Sequence, residues 1–208
     1  MKKALITGSS RGIGKAIAQK LASDGFEVFV NYVGSDEKAF ETKAEIEKNG
    51  GVCTLVKVDL CDADCAEKLY EKTGDVDVLV LNASVQFRNK WSKITQDEFE
   101  KQVNCNFRAS LFLIQKYAVK MQENSWGRII TIGSVQERKP HPDMLVYSST
   151  KAALTIMAQS LALQMATDGV TVNSVAPGVI YTDRNIEALS DKAYAEFTKS
   201  KIPMAHWG

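Results

Sequence analysis

Six short apolar runs alternate with five longer amphipathic ones between residues 3 and 175, and few folds accept that pattern. The runs 3–7, 26–31, 52–58, 76–81, 128–132 and 170–175 predict strands. Between them, 12–23, 36–48, 62–71, 96–123 and 146–167 predict helices, with room for 96–123 to fall into two pieces. In the first helix, Ile13, Ile17, Ala18 and Leu21 share one face, and Gly25 closes it. The fourth strand carries Val76, Val78, Leu79, Val80 and Leu81 almost without interruption. Strands become that apolar when both faces of the sheet are covered. Repeated βα units joined by right-handed crossovers give a parallel sheet wound in both directions, a Rossmann-type α/β fold in the order 3-2-1-4-5-6. No linker or internal repeat divides the chain, so 1–208 is expected to form one domain.

Charge removes several functions. Lys plus Arg is 26 and Asp plus Glu is 25, a net charge of +1, and the charges are scattered. Nothing there would draw a nucleic acid or an anionic membrane. The start Met1-Lys2-Lys3 has only a short apolar run before Thr7-Gly8, far less than the ~7–15 residues of a secretion signal. No stretch approaches the ~20 apolar residues of a membrane span. Cys53, Cys61, Cys65 and Cys105 lack the paired spacing of a zinc site, and His141 and His206 are too few to complete one. A reduced, cytoplasmic protein without a metal is expected, with Cys61 and Cys65 the one pair able to share a helix face.

The first strand runs into Thr7-Gly8-Ser9-Ser10-Arg11-Gly12-Ile13-Gly14. Glycines there let a pyrophosphate approach the backbone, and the helix that follows offers free N–H groups and a positive dipole end. The spacing is G-x-x-x-G-x-G rather than G-x-G-x-x-G, yet the place, the first βα turn, is where doubly wound sheets hold a dinucleotide. An acid at the end of the second strand would bind the ribose of NAD(H). Here that end reads Val30-Asn31-Tyr32, while Arg11 stands ready for a 2′-phosphate. NADP(H) is therefore the expected cofactor, with NAD(H) the lesser alternative and Asn31 counted among the cofactor residues.

Tyr147 and Lys151 stand four apart at the start of the last long helix, on one face. An ammonium beside a phenol favours the phenolate, bringing a group that titrates near ~10 within reach of acid–base work. Ser134 follows the fifth strand, at the sheet edge where parallel folds keep their ligands.

With these residues in place the chain resembles the short-chain dehydrogenase/reductase family. The likeness spans residues 3–182 and rests on an ordered set: the turn 7–14, Asp59, Asn82-Ala83, Asn106, Ser134, Tyr147 with Lys151, and Pro177-Gly178 followed by Thr182. Ser134 precedes Tyr147 by thirteen residues. The resemblance implies that Tyr147 gives or takes the proton, Lys151 tunes it and holds the nicotinamide ribose, Ser134 orients the carbonyl, and Asn106 holds a relay water. It also implies that Gly8, Ser10, Arg11, Ile13 and Gly14 line the phosphates and adenosine ribose. Asp59 would meet the adenine, Asn82 and Ala83 would pack along the cofactor, and Ile180 and Thr182 would hold its carboxamide, with Pro177 also counted among the cofactor residues. Read without the family, Asp59 can cap the helix at 62–71, Asn106 can bond backbone at a helix kink, and Pro177-Gly178 can be a turn.

Ser84 stands where the family usually has a glycine, and the sequence stops near Trp207-Gly208, before the family's seventh strand. A sheet of six strands with the sixth exposed as an edge is the expectation. Family members that reduce 3-oxoacyl groups on acyl carrier protein present basic residues before the fifth and sixth strands. Here those places read Ser125-Trp126-Gly127 and Asp168-Gly169. With Gln86, Arg88 and the segment 136–142, a polar substrate such as a sugar, polyol or hydroxy acid is expected first, a 3-oxoacyl carrier second. A binding protein that holds NADPH without turnover is the rival of another class, and the intact Ser134, Tyr147 and Lys151 argue against it. Phe107, Leu111, Phe112, Ile114, Leu154, Met157, Leu161 and Met165 exceed what one sheet-facing stripe needs, which predicts a homodimer through the helices at 96–123 and 146–167, with the family's tetramer weakened.

Overall fold

The computed structural model describes residues 1–208, apart from the side chains of Arg184, Glu187 and Ala188. Six parallel strands form one sheet: β1 Lys3–Ile6, β2 Glu27–Tyr32, β3 Val52–Lys57, β4 Val78–Leu81, β5 Gly127–Ile132 and β6 Val170–Val175. Their spatial order is β3-β2-β1-β4-β5-β6, as the sequence predicts. The helices are α1 Gly12–Ser23, α2 Asp36–Lys48, α3 Cys65–Thr73, α4 Gln96–Val103, α5 Ala109–Glu123, α6 Leu145–Met165, α7 Asp183–Ser190 and α8 Lys192–Ser200.

Period-two alternation sends each strand's side chains into two cores. Leu5, Phe29, Leu79 and Ile129 pack with α3 and α5 through Leu69, Leu113, Ile114 and Tyr117. Ala4, Ile6, Val28, Val30 and Val80 pack with α1 and α2 through Ala18, Ala22 and Ile46. Both faces are covered, which explains why β4 is apolar throughout. Chain direction across the sheet reverses between β1 and β4, so a crevice opens at the carboxyl ends of those two strands.

Boundaries differ from expectation where side chains compete. Thr7 leaves β1 because its hydroxyl accepts from Asn82 N and Ala83 N, 2.9 and 3.0 Å away. α3 starts at Cys65 rather than near 62, since Arg108 Nη2 binds the carbonyls of Cys61 and Asp62 at 2.7 and 2.8 Å and holds that stretch as a loop. The segment 96–123 does divide: α4 and α5 are joined by a π-helical turn, Asn104–Arg108. Two short helices, α7 and α8, follow β6 where the periodicity predicts none. Among the described residues β6 pairs with β5 and with no strand on its other side, so it is an edge.

Candidate active site

The crevice is a cleft of about 470 Å³ that runs from the glycine turn to α6. Steric closeness at its floor dictates the glycines. A Cβ on Gly14 would stand 2.5 Å from Asn82 Nδ2 and 2.6 Å from Gly8 O. Gly8 has φ of +61°, and a Cβ there would stand 2.8 Å from Ala83 Cα. Asn82 locks this arrangement by donating to Thr7 O and Gly8 O, both at 2.9 Å. Among the described residues no side chain caps the N-terminus of α1, and Gly12, Ile13 and Gly14 of its first turn line the cleft. Uncapped amides at a helix N-terminus form an anion site. The segment with Pro177, Ile180 and Thr182 arches back over the turn, bringing Thr182 within 3.6 Å of where a Gly12 Cβ would stand.

Asn31 lines the cleft from β2, but its side chain is committed to backbone. Its Oδ1 accepts from Gly8 N at 3.2 Å, and its Nδ2 donates to Val56 O and Val58 O at 3.2 and 3.0 Å. It shapes the glycine turn. Asp59 also lines the cleft and accepts from Cys61 N at 2.8 Å, so it braces its own loop and leaves the start of α3 uncapped.

Two residues at this end escape the sequence reading. Lys38, in the first turn of α2, lines the cleft and forms an ion pair with Asp183 at the start of α7. A lysine at a helix N-terminus opposes the dipole. That misfit is a signal the sequence does carry. The carboxylates that precede it, Asp36 and Glu37, do not line the cleft. Asp36 is bound by Lys57 at 2.9 and 3.0 Å, which holds its carboxyl below the usual range.

At the other end, Ser134 follows β5 in extended backbone, and its Oγ accepts from Gln136 N at 3.2 Å. Tyr147 and Lys151 enter from the first two turns of α6, and all three line the cleft. Lys151 is 2% exposed, and its Nζ donates to Ile132 O at 2.6 Å. The ammonium lies 5.7 Å from the centre of the Tyr147 ring. A buried cation with a fixed partner is well placed to stabilise an anion beside it.

Asn106 is 1% exposed and does not line the cleft. It sits in the π-helical turn, where its Oδ1 accepts from Val85 N and its Nδ2 donates to Val85 O, both at 2.9 Å, and to Thr150 Oγ1 at 3.1 Å. Its amide is engaged by Val85 and Thr150, so the backbone-bonding reading at a helix kink describes its side chain. Cys61 lies in the loop before α3, so it shares no helix face with Cys65, and its thiol donates to Lys101 O at 3.9 Å. Hydrogen bonding to Cys105 lowers the Cys61 thiol and raises that of Cys105. Of the polar residues expected around a substrate, Gln86 and Gln136 line the cleft, while Arg88 stacks over Tyr194 at 5.9 Å. Residues 138–142 lie outside the cleft lining.

A cleft with an anion cradle at one end and a hydroxyl, phenol and ammonium at the other belongs to the class that performs hydride chemistry on a dinucleotide. The chain belongs to the short chain dehydrogenase family, whose model matches residues 2–193, and is an oxidoreductase of that kind. It is 36% identical over 211 residues to the 3-oxoacyl-[acyl-carrier-protein] reductase FabG of Staphylococcus aureus, covering 100% of this chain and 85% of that protein. Identity to 3beta-hydroxysteroid dehydrogenase 1 of Eggerthella lenta is 30%, over 100% of this chain and 81% of the other. Among solved structures, a 3-oxoacyl (acyl-carrier-protein) reductase from Agrobacterium tumefaciens with NADP bound superposes with a TM-score of 0.94 at 33% identity, covering 100% of this chain and 82% of that one.

Proposed function

We propose that this chain interconverts a carbonyl compound and its alcohol with NADP(H) as hydride partner and Tyr147 as acid and base. The observation that carries the reading is the convergence of Ser134, Tyr147 and Lys151 on the cleft whose far end is the glycine cradle. The cradle fits the cofactor: a Cβ on Gly8 or Gly14 would close it, and among the described residues no side chain caps the first turn of α1. Gly8, Ser10, Ile13 and Gly14 would hold the pyrophosphate and ribose, and Arg11 with Lys38 the 2′-phosphate. Asp59, Ala83, Pro177, Ile180 and Thr182 would contact the remainder, with Asn31 and Asn82 positioning the turn. When bound, the nicotinamide supplies or accepts the hydride.

In reduction, Ser134 Oγ donates a hydrogen bond to the substrate oxygen and holds the carbonyl against the cleft wall. Tyr147 gives its phenolic proton to that oxygen as negative charge develops there. Lys151, anchored on Ile132 O, stabilises the tyrosinate that remains, by charge at short range in a water-poor site. Oxidation runs the same proton back. Asn106 acts as a positioning residue by clamping Val85 at the substrate end. Gln86 and Gln136 favour a polar substrate such as a sugar, polyol or hydroxy acid. A second reading, reduction of a 3-oxoacyl thioester, is favoured by the 36% identity to the Staphylococcus aureus reductase.

A panel of sugar, polyol, hydroxy-acid and 3-oxoacyl thioester substrates, followed by NADPH absorbance, tests the reading. Turnover with at least one of them is expected. Tight NADPH binding with no turnover on any, unchanged in Tyr147→Phe, would instead support the binding protein.

The same reading extends to assembly. Phe112, Val119, Ile156 and Leu163 on α5 and α6 are exposed, and we take this face as the contact of a homodimer. Three of the residues expected there, Ile114, Leu154 and Met165, are buried within the chain instead, Ile114 and Met165 in the core against the sheet.

A further inference from the structure

Lys38 and Asp183 stand 145 residues apart in sequence, yet their side chains meet at the cleft. Each is partly exposed, with side-chain accessibilities of 40% and 42%. Lys38 belongs to the first turn of α2, where its backbone N–H donates to Ser35 Oγ at 3.2 Å. Ser10, Arg11, Ser35, Lys38 and Asp183 line the same corner. Its charges are uneven. The Arg11 side chain makes no hydrogen bond or ion pair among the described residues, and Asp36 is already engaged by Lys57. The carboxylate that balances this corner is therefore Asp183. Lys38 chiefly, with the charge of Arg11 contributing, holds the Asp183 carboxyl below its ordinary range.

The two cofactors would treat this pair differently. A phosphate monoester carries about −1.5 to −2 charge and three acceptor oxygens near neutral pH. It competes with a carboxylate for an ammonium, and it repels that carboxylate at short range. A ribose hydroxyl is neutral and can do neither. We propose that Asp183 is an internal counter-anion for Lys38 that the 2′-phosphate of NADP(H) displaces, which makes the Lys38–Asp183 pair a determinant of cofactor preference. Lys38 then contributes to NADP(H) binding only after giving up Asp183, and contributes nothing to NAD(H). Asp183 moderates NADP(H) affinity while holding α7 to α2 in its absence. The inference rests on the NADP(H) reading above.

The test is a double-mutant cycle read by nucleotide fluorescence on the full chain, with NADPH and NADH each titrated against the unaltered protein, Asp183→Asn, Lys38→Met and both together. Asp183→Asn removes the competing charge with little change of shape. It is expected to tighten NADPH by about two- to fivefold, the range of an exposed ion pair, and to leave NADH unchanged. Lys38→Met should weaken NADPH, and in that background Asp183→Asn should have almost no effect. Unchanged or weaker NADPH binding in Asp183→Asn overturns the proposal, as does equal weakening of both nucleotides. Equal tightening with and without Lys38 also overturns it, by reducing Asp183 to a source of general repulsion. Equal affinity of the unaltered chain for NADPH and NADH would remove the NADP(H) preference itself. A preference that survives while Asp183→Asn does nothing removes only this inference.

Discussion

The two ends of the cleft are built on opposite plans. At the catalytic end the working groups are buried on a rigid frame: Tyr147 and Lys151 on α6, Ser134 at the end of β5, with Lys151 fixed to a strand carbonyl. At the glycine-turn end Lys38 and Asp183 are partly exposed and paired with each other across the gap. Low dielectric strengthens a charge interaction, and water weakens it. The difference teaches where each property resides. On the proposed function, rate belongs to the buried end, where one group removed should cost orders of magnitude. Cofactor choice then belongs to the exposed end, where several small electrostatic contributions add.

Changes at the two ends should therefore differ in size and in kind. Lys151→Met leaves a similar stem without the charge. Turnover should fall by about 100-fold or more, given the size of positioned acid–base effects, in steady-state assays with the best substrate of the panel. A loss under tenfold would place the buried ammonium outside the chemistry. Gly14→Ala tests the join between the ends. Its new methyl meets Asn82 Nδ2 and Gly8 O, so thermal unfolding should show about 1–3 kcal/mol of lost stability, and NADPH affinity should fall with it. Arg11→Ala should act on selectivity alone, narrowing the NADPH-over-NADH ratio in nucleotide titrations while turnover at saturating cofactor stays near normal. Smallest at the cleft should be a change on the outer helices. Leu163→Glu, at a residue 86% exposed, should shift light scattering from dimer toward monomer at micromolar concentration and leave turnover within about twofold. A stable monomer before substitution contradicts the proposed dimer.

The same contrast governs what the sequence discloses. The catalytic end is local: Tyr147 and Lys151 are one helical turn apart, and Ser134 follows a strand whose apolar run is plain. The parallel, doubly covered sheet likewise follows from the alternation of β1 to β6 with helices. Residues whose partners lie far away in the chain are not legible in this way. Asn106 spends its amide on Val85 and Thr150, and Asn31 on Gly8, Val56 and Val58, so both read as site residues while their side chains serve the frame. Asp183 is an ordinary surface charge, and Lys38 no more than a misfit at a helix start, until the fold places them opposite each other. α7 and α8, of 8 and 9 residues, are too short for periodicity to announce them.

The central claim is that Tyr147 supplies the proton for chemistry powered by a cofactor held elsewhere in the cleft. Tyr147→Phe, compared with the unaltered chain in both turnover and NADPH binding, tests it most directly. The account predicts turnover lower by about 10²–10⁴-fold with NADPH affinity changed little, because the ring and its packing remain while the transferable proton is gone. Near-normal turnover in the Phe variant would contradict it.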